Sequence, residues 1–113
     1  MAAASAHRRV HAALALALAA GTGAAGADAL ADGQAKARAC AMCHGPLGVA
    51  VAPDTPHLAG QPANYLVQQL RAYRSGARKH EVMSVMAKPL SDADIDLLAA
   101  WFAAIRVEAA PPR

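Results

Sequence analysis

The clearest rhythm of apolar and polar positions lies near the C-terminus, where Ile95, Leu98, Ala99, Phe102 and Ile105 recur on one face of a 3.6-residue period and predict a helix. Leu97 and Trp101 widen that stripe, so the helix needs a partner along much of its circumference. Ser91 and Asp94 in front of it form a capping-box pattern, with Asp94 where Glu or Gln is usual. Asp92, Asp94 and Asp96 add the negative charge that a helix N-terminus favours. A second stripe, Tyr65, Leu66, Gln69, Leu70 and Tyr73, predicts a helix opened by Gln61-Pro62 and ended by Gly76. Residues 29 to 43, rich in alanine, predict a third helix with Asp28 and Asp32 near its start. Gly33 costs this helix ~1 kcal/mol relative to alanine. It marks either a close approach of another backbone or a frayed first turn, and the last helix is the natural neighbour.

Other stretches have no helical rhythm. Gly45-Pro46 ends the first helix, and Pro46, Pro53 and Pro56 make the segment to Gly60 a loop. Leu47 and Val49 to Ala52 make it apolar, as a short strand or as a loop wrapping one side of a prosthetic group. At the N-terminus His7, Arg8, Arg9 and His11 precede or flank an apolar run from Val10 to Ala20, and Ala25-Gly26-Ala27 is a small-residue cleavage site. This is the pattern of an export signal over residues 1–27, with a mature domain over 28–113. The run is well short of the roughly 20 apolar residues that span a bilayer. The reading predicts a soluble periplasmic protein.

Of 113 residues, 86 remain without the signal, and Arg8 and Arg9 leave with it, so nine basic residues face eight acidic ones. That balance gives no case for nucleic-acid binding. Tyr65, Tyr73, Trp101 and Phe102 are the only aromatics of the mature part. So small a chain has difficulty burying enough apolar surface by itself. Arg71, Arg74, Arg78, Lys79 and His80 cluster in and beyond the end of the second helix, chiefly as a solvated face complementing its C-terminus, the alternative being pairing with the carboxylates of a bound group or electrostatic steering of a partner.

Cys40-Ala41-Met42-Cys43-His44 supplies the chemistry. Two thiols separated by two residues and followed by an imidazole read as the attachment site of one covalent haem c. On a helix the three side chains leave one face, so the thiols can form thioethers while His44 binds the iron. A disulfide between Cys40 and Cys43 would close a tiny loop and constrain little. A thioredoxin-like thiol pair needs a strand and crossover context. Zinc on Cys40, Cys43, His44 and His57 or His80 has irregular spacing. A second axial ligand separates electron transfer from other haem chemistry, and either Met83 or Met86 could supply its thioether.

Gly33-Gln34-Ala35-Lys36, Cys40 to Gly45, Pro56 to Gln61, Tyr65-Leu66 with Gln69-Leu70, Met83, Pro89-Leu90-Ser91 and the late aromatic pair together resemble a class I c-type cytochrome. The likeness is to the small soluble bacterial monohaem kind, similar to one half of the periplasmic dihaem cytochromes c. It implies an all-α cytochrome c fold, three to four short helices around one haem, with the first and last helices crossing at Gly33. It also implies that Met83 is the sixth ligand, that Met86 packs beside the ring, and that the Pro56 carbonyl accepts the ring N–H of His44. Leu58 would pack on the porphyrin, and His57 would be a surface residue. Leu47 to Ala52 is more apolar than the polar, glycine-rich loop usual in the family.

The function implied is a periplasmic electron carrier, not an enzyme, with His44 and Met83 bound to the iron in both oxidation states. Its partners would be a redox donor and a redox acceptor, with no small-molecule substrate. The alternatives are a haem subunit or accessory domain of a dehydrogenase or oxidase complex, or a ligand-binding haem protein in which methionine does not bind. Leu47, Val49 and Val51 are expected on the partner-docking rim.

Overall fold

The computed structural model describes residues 23–113. They form α1 (Gly23–Ala37), a 3-10 turn (Arg38–Cys40), α2 (Ala41–His44), α3 (Ala63–Ser75), α4 (Met83–Ala87) and α5 (Asp92–Ala104). No strand occurs among the described residues, and the all-α expectation holds. The strand alternative for residues 47–52 is overturned, since that segment is bends and open loop. Most of the expected export signal lies outside the described residues.

α1 differs from its prediction at both ends. Its described part runs from Gly23, with Ala24, Ala25 and Ala27 as favourable helix formers, and Asp28 and Asp32 therefore lie inside the helix instead of at its start. It also ceases to be α-helical at Ala37 and tightens into the 3-10 turn before α2 resumes. The predicted single helix over 29–43 is thus broken at residues 38–40, where the change of pitch rotates the side chains that follow.

α5 matches its prediction closely. Ser91 Oγ accepts the Asp94 N–H at 3.0 Å and Asp94 Oδ2 accepts the Ser91 N–H at 2.9 Å, completing the capping box. Ile95, Leu98, Ala99 and Phe102 are buried, and α5 packs against both α1 and α3. At the α1 crossing, a Cβ on Gly33 would overlap the Leu97 carbonyl oxygen and sit 2.9 Å from Trp101 Cβ. The glycine is therefore a contact point between backbones, and the frayed-turn alternative is excluded.

α3 starts one residue after Pro62 and ends at Gly76, whose left-handed φ of 84° lets its N–H reach the Tyr73 carbonyl. Leu66 is buried on its inner face, whereas Tyr65 is exposed and falls outside the predicted stripe. The basic cluster is more engaged than a solvated face. Arg74 donates to the Leu90 carbonyl at 2.8 Å and to Asp92 at 2.6 Å. Arg78 donates to Gln69 at 2.6 Å and covers the Tyr73 ring at 4.6 Å. The Arg74 contacts tie the end of α3 to the segment that leads into α5, and the Arg78 contacts fold the chain after Gly76 back onto α3.

Candidate haem site

His44 ends α2 and is the one buried polar residue among those described, 6% exposed. Its Nδ1 lies 2.9 Å from the Pro56 carbonyl oxygen. A carbonyl only accepts, so Nδ1 carries the proton and Nε2 keeps its lone pair for a metal. A bond of this kind fixes both the tautomer and the orientation of a ligating imidazole.

The loop that presents Pro56 is closed at several points. The Gly48 carbonyl accepts N–H groups from Leu58 at 2.7 Å and Ala59 at 3.1 Å, and the Gly60 N–H donates to the Phe102 carbonyl at 2.9 Å. Gly48 has a φ of 73°, and a Cβ there would lie 2.8 Å from both Ala59 N and the Phe102 ring. Only glycine fits so close an approach in that conformation. His57 is exposed, as expected, but its Nδ1 accepts the Ala50 N–H at 2.9 Å. This structural use of His57 was missed in the sequence, where nothing links it to a residue seven positions earlier.

Cys40 is half-buried, Cys43 is exposed, and the two form no disulfide. Burial pushes the Cys40 thiol up from its ordinary pKa, the opposite of what a thiol–disulfide catalyst requires. No group of three or more His, Cys, Asp or Glu among the described residues is placed to hold a metal ion. His57 and His80 use their Nδ1 atoms to accept backbone N–H groups. The zinc alternative therefore has no ligand set. Leu58 is partly buried against the core formed by Ala37, Leu66, Leu98, Ala99 and Phe102. Met83 is half-buried, whereas Met86 is 40% exposed.

The donors present suit a haem: two cysteines at attachment spacing with no disulfide between them, followed by an imidazole with one ring nitrogen committed and the other open. The protein interior also fits such a group. Three of the seven buried apolar residues are alanines, and Phe102 is the only aromatic among them.

The family pattern described as Cytochrome c matches residues 30–105, two thirds of the chain. The chain belongs to the cytochrome c family. Its cofactor is haem c, attached through Cys40 and Cys43. The chain is 43% identical over 77 residues to a thiosulfate dehydrogenase electron acceptor of Thiomonas intermedia, a stretch covering 67% of this chain and 36% of that protein. It is 44% identical over 73 residues to cytochrome c-554(548) of Halomonas halodenitrificans, covering 62% of this chain and 88% of that one. Among solved structures, reduced recombinant cytochrome c4 from Pseudomonas stutzeri superposes with a TM-score of 0.64 at 37% identity, over 68% of this chain and 45% of that chain. The cytochrome c chain thus spans little more than a third of the first relative and less than half of the last. No helix among its described residues is long and apolar enough to cross a membrane.

Proposed function

We propose that this cytochrome c is an electron carrier, exported to the periplasm after cleavage behind Ala27, in which His44 and Met83 are the axial ligands of a single haem. The observation that carries the reading is the 2.9 Å bond between His44 Nδ1 and the Pro56 carbonyl. It holds the imidazole in one tautomer inside the protein, so oxidation and reduction require little rearrangement on that side. Haem c bound there supplies a one-electron Fe(III)/Fe(II) couple. Met83 contributes a soft thioether that favours the reduced state and raises the potential. Leu58 contributes apolar surface and keeps water from the ring. If His44 and Met83 both bound the iron, the chain would leave no place on it for a substrate, which argues for a carrier and against an enzyme.

Leu47, Val49 and Val51 are 55%, 51% and 94% exposed, and Met42 inside the attachment motif is 95% exposed. From Ala41 to Pro53 the sequence has no acidic residue, lysine or arginine. This apolar rim beside Cys43 suits brief docking of redox partners over a small interface. A dehydrogenase as electron donor is supported by the name of the Thiomonas intermedia relative.

Replacing Met83 with Ala in the haem-loaded protein tests the ligand assignment. It should abolish the weak red absorption band of a thioether bonded to Fe(III) and lower the midpoint potential, while Met86→Ala should leave both intact. The reverse result would move the ligand to Met86. A wild-type protein without the band would favour a ligand-binding haem protein.

A further inference from the structure

Met83 is the first residue of α4, a helix only five residues long. A single turn of this kind is not stable alone, so its start must be held from outside. His80 does this. Its ring Nδ1 accepts the N–H groups of both Val82 and Met83 at 3.2 Å. The His80 backbone N–H donates to Ser84 Oγ at 3.0 Å, and the His80 carbonyl accepts the Ser84 N–H at 3.0 Å. Asn and Asp make the same contacts to residues two and three ahead when they cap a helix. Here an imidazole takes that part, and Ser84 closes the reciprocal half as in a capping box.

The His80 ring is itself fixed. It stands edge-on to Tyr73 of α3, with centroids 6.5 Å apart and planes at 72°. Arg78 lies over the other partner, Tyr73, and is held by Gln69. A continuous set of contacts therefore runs from the thirteen-residue α3 through Tyr73 and His80 to the backbone amide of Met83. At the far end of the segment, Arg74 of the same helix holds the Leu90 carbonyl.

We propose that His80 is the positioning residue for the sixth ligand, holding the Met83 amide through Nδ1 so that the thioether stays at the iron. The inference rests on the Met83 ligation proposed above. Without the Nδ1 acceptor, the two amides turn to water and α4 loses its anchored start. The segment then spends more time away from the iron, and an external ligand competes more successfully for the position.

The test uses the oxidised, haem-loaded protein, all variants at one fixed pH, with cyanide as the competing ligand. Loss of a helix cap should raise the apparent cyanide affinity of His80→Ala about fivefold over wild type. His80→Asn, which offers a carbonyl oxygen in capping position, should restore it to within about twofold. Ser84→Ala should move it in the same direction by less, and keeps the test available should His80→Ala not fold. A residue that only stabilised the fold would lower the melting temperature without changing cyanide competition or responding to the asparagine rescue. The proposal is overturned if the wild type shows the thioether band and His80→Ala, or Ser84→Ala in its place, binds cyanide as the wild type does. It is equally overturned if His80→Asn behaves like His80→Ala. A wild type without the band, or a band that survives Met83→Ala, overturns the Met83 ligation itself, and both are read before any His80 variant is scored.

Discussion

Gly33→Ala sets two effects of opposite sign against each other. In an exposed helix the change would be stabilising by up to ~1 kcal/mol, from propensity alone. At the α1–α5 crossing the new methyl would overlap the Leu97 carbonyl oxygen and lie 2.9 Å from Trp101 Cβ. Neither neighbour is the free end of a flexible side chain. The carbonyl belongs to the middle of α5, so relief requires the two helices to part along a contact that buries Leu98 and Ala99. Overpacking of this kind costs about 1–3 kcal/mol; overlap with a helix carbonyl that cannot swing aside puts Gly33→Ala in the upper part of that range, about 2–3 kcal/mol, and with the ~1 kcal/mol propensity gain subtracted we expect a net loss of about 1–2 kcal/mol. For a domain of this size that corresponds to a fall in melting temperature of about 4–16 °C. Far-UV circular dichroism of the oxidised haem-loaded protein during heating measures it. Ala35→Gly, at an exposed position of the same helix, calibrates propensity alone, at about 1 kcal/mol lost. A Gly33→Ala protein melting at or above the wild-type temperature would refute the reasoning, because propensity would then have outweighed the crossing.

The ion pair between Lys36 of α1 and Asp94 of α5, 2.6 Å apart, gives a pH prediction. Lys36 and the Ser91 N–H lower the Asp94 carboxyl to a pKa of about 2, below the value near 3.9 of an unfolded chain. Its contribution is therefore complete above about pH 4 and lost as pH falls toward 2. Asp94→Asn keeps an acceptor for the cap, so its melting temperature should lie below wild type at neutral pH and converge with it near pH 2. A constant difference across that range would contradict the linkage. Val49→Ser with Val51→Ser should slow electron self-exchange, read by NMR line broadening in mixed oxidation states, by about tenfold through lost apolar contact. The visible spectrum should be unchanged, and an unaltered rate would remove the rim from the docking surface.

What the sequence displayed were features whose cause is local. The Ser91–Asp94 box and the Ile95, Leu98, Ala99, Phe102 stripe lie within a few residues of one another, and both the element and its buried face follow from them. Gly33 was legible because glycine in a helix is costly enough to demand a reason. The attachment spacing of Cys40, Cys43 and His44 was legible for the same local reason. The bond from His44 to Pro56 spans twelve residues and was reached through the family resemblance, since nothing in the spacing points to it. α4 gave no sign of itself in the sequence because five residues cannot show a period, and its stability comes from a histidine acting where Asn or Asp is the usual signal. His80 followed four residues later by Ser84 was the only trace of it. The break of α1 at Arg38 also escaped notice, because alanine-rich sequence carries no boundary marks.

Under the proposed ligation, the two sides of the haem are held by different means, and that difference has a kinetic consequence. On one side His44 is buried, and its partner Pro56 belongs to a loop closed by Gly48 and by the Gly60 bond to the end of α5. Opening that side requires disrupting contacts with Phe102, which is part of the core. On the other side Met83 depends on a five-residue helix whose cap is exposed. Local opening follows the path with the least buried contact, so the Met83 side should open first, with the covalent side intact. An added ligand should thus reach the iron without global unfolding, at a rate set by the α3 contacts through Tyr73 and Arg74.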